Sequence, residues 1–163
     1  MKSVHFQPVS NFLELAKRVF EEQKVRIVQL LPYADVQHIG STSIPNSVTK
    51  GDLDLSIRVP KEEFKHAAEE LKSIYDINQP ENWSNTFASF KDDKNLGISF
   101  GAQLVVKGSK SDDFIKLRDI LIENPQLVKQ LNTIKMKYEG KNMDEYQKEK
   151  ADFFQKLREK FLK

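Results

Sequence analysis

The chain has no cysteine, only six glycines and six prolines, and no apolar run of the length that a membrane span requires. The lack of cysteine excludes disulfides and thiolate metal sites. A transmembrane helix needs about 20 consecutive apolar residues, so we expect no membrane partner. The first ten residues, MKSVHFQPVS, have no apolar segment behind their lysine, which is not typical of a signal peptide. We therefore expect a cytoplasmic protein.

An excess of charge of one sign is also missing. Lysine and arginine number 26 against 24 acidic residues, which leaves a net charge of +2. This balance does not indicate nucleic acid as a partner. Apolar residues make up 39% of the 163 residues and charged residues 31%, which is typical of a globular domain with a sizeable core.

Apolar periodicity divides the chain into a strand-rich part and a helical part. Alternating patterns predict strands over 34–39, 52–59, 85–91 and 97–107. Helical patterns cover 11–31, the residues after Pro60, and three segments after residue 110. This segregation predicts an α+β fold in which a small mixed β-sheet with flanking helices is joined to a C-terminal helical lobe.

We expect one domain over residues 1–163, with a sheet lobe over 1–108 and a helical lobe over 109–163. A cleft between two such lobes is the natural place for a ligand.

The stretch HIGSTSIPNSVTKGDLDLSIRV, which begins at His38, carries the clearest functional pattern. Asp52 and Asp54 are two residues apart on a predicted strand, so their side chains lie on the same face. Two carboxylates so close together repel unless a cation lies between them, and oxygen ligands suit Mg²⁺. The alternative interpretation is a pair of acids on a solvated strand face.

Gly40 and Ser41 precede these acids by about ten residues. Gly40 allows the backbone to approach a bound group, and Ser41 offers a hydroxyl and an N–H where a turn begins. Ser41 as a helix cap is compatible with this, because a helix start also binds anions. The stretch therefore predicts a site for a metal-bound triphosphate. Lys50 either reaches a phosphate or solvates a loop.

The pattern Gly-Ser, a ten-residue spacer and Asp-x-Asp resembles the nucleotidyltransferase superfamily, whose palm is similar to that of DNA polymerase β. The segment HIGSTSIP closely resembles the GrpB-like family within it. The resemblance implies that Asp52 and Asp54 hold Mg²⁺ or Mn²⁺ and act in catalysis. It also implies a nucleotide site that contains Gly40, Ser41, Thr42 and Lys50.

The helical half resembles the same family in LRDIL, NTIKMKY and YQKEKADFF. These segments contain Arg118 with Asp119, Lys135 and Lys150. Taken singly, each basic residue is typical of a solvated helix surface. The resemblance implies instead that Arg118, Lys135 and Lys150 line the cleft and neutralise phosphate charge.

One departure concerns the third carboxylate that active members of the superfamily carry on a neighbouring strand. The strand GISFGAQLVV has Gln103 at the expected place, and many GrpB-like sequences carry a His-x-His-like pair where Gln103 and Val105 stand here. An amide cannot accept a proton at neutral pH. We therefore expect catalysis to be weak and nucleotide binding to be retained.

Two further residues of the central stretch have alternative interpretations. His38 is expected to be packed and hydrogen-bonded in the core, with general-base catalysis as the alternative. Arg58 shares the face of Asp52 and Asp54 by parity. We expect Arg58 to pair with these acids or, alternatively, to reach a substrate anion.

Two functional hypotheses follow. The first is a metal-dependent transfer of a nucleoside monophosphate from a nucleoside triphosphate to a hydroxyl of a small molecule or macromolecule. The second is a catalytically impaired nucleotide-binding module with a regulatory role. A link to coenzyme A metabolism is implied by GrpB-like domains that are fused to dephospho-coenzyme A kinase. A further alternative is that the chain is one half of a two-protein system, because small nucleotidyltransferases often occur with a helical partner.

Overall fold

The computed structural model describes residues 2–162, which form seven strands and five α-helices. The strands are β1 (Gln7–Pro8), β2 (Asp35–Ile39), β3 (Val48–Thr49), β4 (Asp52–Val59), β5 (Asp76–Asn78), β6 (Phe87–Asp92) and β7 (Ser99–Val106). The helices are α1 (Leu13–Leu30), α2 (Phe64–Leu71), α3 (Phe114–Glu123), α4 (Pro125–Lys137) and α5 (Met143–Phe161). Within this part of the chain, no helix has the length and apolar composition of a membrane span.

Five strands form one mixed sheet in the order β2-β4-β7-β6-β5. The central pair, β4 and β7, is parallel, and the other neighbours are antiparallel. The two-residue strands β1 and β3 pair separately. The prediction of a small mixed sheet with flanking helices and helical segments after residue 110 is therefore confirmed. The strands β1, β3 and β5 were not predicted, because two or three residues are too few to establish an alternation.

The alternation of β4 sends its side chains to opposite faces of the sheet. Leu53, Leu55, Ile57 and Val59 are fully buried against the helices α1 and α2 in the larger apolar core. Asp52 and Asp54 lie on the other face, which is turned toward the C-terminal helices. Burial of one face fixes the register of β4, because a shift by one residue would bury the acids.

The helices α3, α4 and α5 pack around a second apolar core. The N-terminus of α5 is capped by the side chain of Asn142, which accepts hydrogen bonds from the backbone N–H groups of Asp144 and Glu145. The N-terminal segment also contacts this part of the chain, since Val4 and Phe6 pack with Tyr146 of α5.

Arg58 connects the sheet to the segment that precedes α3. Its guanidinium donates to the carboxylates of Asp112 and Asp35, each at 2.8 Å. The expectation that Arg58 pairs with Asp52 and Asp54 is therefore wrong. The residues share a strand face, but four positions at about 3.3 Å each separate Arg58 from Asp54. Arg58 thus holds the start of α3 rather than the paired acids.

Candidate functional site

The carboxylate of Asp54 lies between Gly40, which directly follows β2, and Gly101 of β7. Asp54 pairs with Ile39, the last residue of β2, and with Gly101 of β7. A Cβ atom on Gly40 would lie 2.7 Å from Asp54 Oδ2, and a Cβ atom on Gly101 would lie 2.7 Å from Asp54 Oδ1. Both distances are too short for a real Cβ contact, so the two glycines provide the space that the carboxylate occupies.

The Asp54 carboxylate lines a cavity, and none of the hydrogen bonds or ion pairs within residues 2–162 involves it. Burial, followed by the neighbouring Asp52 carboxylate, raises the pKa of Asp54 to about 7. The ammonium groups of Lys150 and Lys50 oppose this shift. An acid that lacks an internal partner and lies beside a second acid is suited to an external cation.

The segment from Gly40 to Thr42 forms a tight turn after β2. Gly40 has φ of 76°, a conformation that L side chains rarely adopt, and a single 3₁₀ turn follows. Ser41 Oγ lies 2.6 Å from Thr49 Oγ1 and also lines the cavity. Thr42 is buried, and its hydroxyl donates to the backbone carbonyl of Asp52.

Thr42 therefore holds the turn against the strand of the paired acids. Among the residues that the sequence predicts for the nucleotide site, Thr42 is the one that does not line the cavity. Its hydroxyl is already engaged with the backbone of β4 and with His38.

Three lysines line the same cavity as the two acids. Lys50 Nζ lies 3.9 Å from Asp52 Oδ2. Lys135 is 4% exposed and donates to the carbonyl of Val48 at 2.7 Å. Burial, followed by the Lys150 ammonium, lowers the pKa of Lys135 to about 7. The pKa of Lys150 is lowered too, first by burial and then by Lys50.

The interpretation of Lys135 as a solvated surface charge is therefore wrong. Its aliphatic stem continues the apolar stripe of α4, so the ammonium enters the interior where that helix meets the backbone of β3. All three lysines line the cavity. Three ammonium groups beside two carboxylates leave a positive balance, which favours an anionic ligand.

Arg118 and His38 fix the junction between α3 and β2. The Arg118 guanidinium donates to His38 O at 3.0 Å and to Gln37 Oε1 at 3.1 Å, and it pairs with Asp119. Arg118 lines the cavity, but much of its hydrogen-bonding capacity is used within the protein. The His38 ring stacks on Phe20 and lies 2.8 Å from Thr42 Oγ1.

Burial, followed by the Arg118 charge, lowers the pKa of His38 to about 4. His38 is thus packed and hydrogen-bonded, as expected from its strand position.

The cavity has a volume of about 430 Å³ and lies between the sheet and the C-terminal helices. Several lining residues were not singled out by the sequence: Phe6, Ile39, Ile44, Ser47, Phe114, Leu117, Leu121, Val128, Leu131, Tyr146, Gln147, Ala151, Phe154 and Arg158. Most are apolar residues at helical spacing, a pattern that equally predicts core packing. Gly101 was also missed, although a glycine inside a strand is a signal of close approach.

A divalent metal fits the donor set only in part. Asp52 and Asp54 present carboxylates to one cavity, as an oxygen-bound metal requires. Within residues 2–162, no cluster of three or more acidic or histidine side chains could hold a metal. Gln103 lines the same cavity, where its amide offers hydrogen bonds but no charge. Water and phosphate oxygens would have to complete the coordination of a metal here.

The fold is similar to that of nucleotidyltransferases. A crystal structure of Cid1 poly(U) polymerase with MgGTP bound superposes with a TM-score of 0.53 and 14% identity, over 76% of this chain and 40% of Cid1. A structure of Cid1 in complex with its short product ApU gives a TM-score of 0.51. At these identities the likeness concerns the fold alone.

The chain belongs to the GrpB family. The sequence profile described as GrpB protein matches residues 13–160. A UPF0157 protein of Vibrio cholerae is 30% identical over 155 residues, which cover 95% of this chain and 82% of the relative. The crystal structure of the conserved protein GrpB from Enterococcus faecalis superposes with a TM-score of 0.75 and 20% identity, over 97% of this chain and 99% of that protein.

Proposed function

We propose that the protein binds a nucleoside triphosphate together with Mg²⁺ or Mn²⁺ and transfers the nucleoside monophosphate slowly to a hydroxyl group. The observation that carries this proposal is the Asp54 carboxylate, which two glycines accommodate and no internal donor engages. Asp52 and Asp54 would hold the metal, which would supply charge stabilisation at the phosphate oxygens. The nucleotide complexes of Cid1, a protein of similar fold, support the same interpretation.

The remaining polar groups of the cavity suit the phosphates. Lys50, Lys135 and Lys150 would offset their negative charge. The turn at Gly40 and Ser41 places a hydroxyl and backbone groups beside the acids, where a terminal phosphate would lie. Arg118 would contribute mainly by holding α3 beside the cavity.

The transfer itself would form a bond between the acceptor oxygen and the α-phosphorus. The bond from that phosphorus to the bridging oxygen of pyrophosphate would break, and pyrophosphate would leave with the electron pair. The acceptor proton would pass to solvent, because Gln103 cannot take it. General-base assistance is typically worth 10²–10⁴-fold, so turnover should be slow.

Release of pyrophosphate tests this function. We expect little release by the wild type with Mg²⁺, a nucleoside triphosphate and cell extract as the source of acceptor. Gln103→Glu should raise turnover by about 10²-fold, and Gln103→Ala should not. Fast release by the wild type that is unchanged in Gln103→Ala would contradict the role given to this position.

A second candidate is a regulatory module that binds nucleotide without turning it over. The amide at Gln103 and the two-carboxylate donor set favour it. Nucleotide binding that depends on Asp54, with no transfer in any Gln103 variant, would select this candidate.

A further inference from the structure

The cavity extends along one face of α5. Tyr146, Lys150, Phe154 and Arg158 recur every four residues on this helix, and all of them line the cavity. Eight residues separate Tyr146 from Phe154, which corresponds to about 12 Å along the helix axis. Lys150 lies between them. The paired acids line the same cavity, together with Lys50, whose Nζ lies 3.9 Å from Asp52 Oδ2.

Along the cavity face of α4, apolar residues are followed by a charged one. Val128 and Leu131 line the cavity one and two turns before Lys135. Lys135 Nζ donates to the carbonyl of Val48 in β3 at 2.7 Å, so its ammonium lies at the sheet, close to the start of β4. The apolar residues of α4 and α5 therefore lie on one side of the acids, and we call this side the apolar end of the cavity. It is formed by Leu117, Leu121, Val128, Leu131 and Phe154. Arg158 lines the cavity one turn beyond Phe154, and its Nε donates to Asp113 at 2.6 Å.

The other side of the acids has different chemistry. The rings of Phe6 and Tyr146 meet edge to face with centroids 5.1 Å apart. Gln147 adds a side-chain amide at the same end of α5. Both rings are almost fully buried, and the Gln147 amide can hydrogen-bond to the edge of a nucleobase.

The apolar end cannot meet the needs of a nucleobase. Leu117, Leu121, Val128 and Leu131 are between 1% and 5% exposed and belong to the second apolar core. None of them offers a hydrogen bond, and a nucleobase buried there would leave its polar edge without partners. An apolar lining of this kind suits a hydrocarbon chain.

We propose that the apolar end binds the acceptor, which is a small molecule with a hydroxyl group on an aliphatic chain. The nucleobase then lies at the Tyr146 end, and the acceptor hydroxyl lies next to Asp54 in the middle. The assignment of the hydroxyl as the transfer site rests on the proposed function. The binding of the aliphatic chain rests only on the cavity.

Primary alcohols of increasing length test this inference. The probes are 1-butanol, 1-hexanol and 1-octanol, titrated into the full chain with Mg²⁺ and a non-hydrolysable ATP analogue. Dissociation constants come from the NMR shifts of the Leu121 and Val128 methyl groups. Each added methylene should tighten binding roughly fourfold until the apolar end is full. Shifts that do not saturate, or that are as large at the exposed Leu13, would overturn the inference.

Two cavity variants and one control sharpen the test. Leu131→Phe fills the apolar end and should remove the gain from butanol to hexanol. Val128→Ala enlarges it and should move the length optimum to a longer alcohol. Leu157→Phe is the matched control, because Leu157 is buried in the same core without lining the cavity. An equal loss of length dependence in Leu157→Phe would attribute the effect to general core disruption and overturn the inference.

The same variants separate this inference from the proposed function. If Leu131→Phe weakens nucleotide binding while Leu157→Phe does not, the apolar end holds the nucleobase and the acceptor assignment is wrong. If Asp54→Asn binds metal and nucleotide as the wild type does while the alcohol series is intact, the proposed function fails and the apolar site stands.

Discussion

The sheet side and the helical side of the cavity are built in different ways. On the sheet side, Asp54 pairs with Ile39 and Gly101 in a fixed register, which brings Gly40, the residue after Ile39, next to its carboxylate. On the helical side, the lining residues come from three helices whose positions depend on the packing of a separate core. The positions of the paired acids are thus fixed by strand pairing. The size and polarity of the cavity depend instead on how the three helices pack.

The largest effect should come from the glycine before the turn, which tests how rigid the sheet side is. Gly40→Ala adds a Cβ atom 2.7 Å from Asp54 Oδ2 to a residue with φ of 76°. We expect a loss of about 4 kcal/mol in the free energy of unfolding, from backbone strain and overpacking together. Denaturant titration measures it.

Gly97→Ala is the matched control, because Gly97 has φ of 78° and no atom within 4 Å of the added Cβ. It should cost only the strain, about 1 kcal/mol. Equal losses in the two variants would show that the approach of Asp54 contributes nothing.

The next largest loss of stability is expected when the ion pairs of Arg58, which join the sheet to the segment before α3, are removed. Arg58→Met removes the guanidinium that joins Asp35 and Asp112, and Asp112 is 8% exposed. Leaving a buried carboxylate unpaired should cost about 3 kcal/mol of unfolding free energy. Nucleotide binding measured below the melting temperature should not change, because Arg58 does not line the cavity.

Arg18→Met gives a comparison at an exposed ion pair with Glu22, where we expect a loss below about 0.5 kcal/mol. Weaker nucleotide binding by folded Arg58→Met would instead indicate that α3 moves when this link is cut.

A smaller effect on the free energy of unfolding is expected at Asp54, whose carboxylate should destabilise the fold when no metal is present. The pKa of this carboxyl is raised in the folded protein, so the folded state binds more protons than the unfolded state between about pH 4 and 7. Stability contributed by this group therefore falls as pH rises through that range. In EDTA at pH 8, Asp54→Asn should be more stable than the wild type by on the order of 2 kcal/mol.

The gain should disappear below pH 4, where the wild-type carboxyl is protonated in both states. Asp93→Asn, at an exposed hairpin acid, should show no such gain. A less stable Asp54→Asn at pH 8 would mean that the carboxylate stabilises the fold through internal partners.

The smallest effect is expected at His38, which lies between the two sides. Its pKa is lowered to about 4, so the unfolded state binds more protons than the folded state between about pH 6.5 and 4. Stability from this group is lost as pH falls through that window, by about 1 kcal/mol after allowance for solvent screening. In His38→Gln, the loss of unfolding free energy between about pH 6.5 and 4 should be smaller by this amount, as measured by acid-dependent unfolding. An NMR titration that places the His38 pKa near 6.5 would contradict the burial argument.

The comparison of the two sides also explains what the sequence could predict. The strand of Asp52 and Asp54, the turn at Gly40 and the later helices follow from local alternation and spacing, and the structure contains them. Arg58 could not be assigned, because parity gives the face of a strand but not which loop lies over its end. The burial of Lys135 depends on how α4 meets β3, which no local pattern encodes.

The apolar end of the cavity was missed for the same physical reason. Leu117, Leu121 and Leu131 have the spacing of core residues, and most of their surface is indeed packed. A cavity beside them depends on how three helices cross, and a single sequence carries no signal for that. Gln103, which stands where active members of the superfamily carry a third carboxylate, is a different case. Its place on the cavity side of β7 followed from alternation alone.

Calorimetric titration of a nucleoside triphosphate in Mg²⁺ and in EDTA tests the central claim most directly. The claim is that the sheet side binds a metal-bound triphosphate through Asp54. Each of ATP, CTP, GTP and UTP would be titrated into the wild type, Asp54→Asn and Leu157→Phe. We predict saturable binding only with metal, at least tenfold weaker in Asp54→Asn and unchanged in Leu157→Phe. Equal binding by the wild type and Asp54→Asn in Mg²⁺ would contradict it.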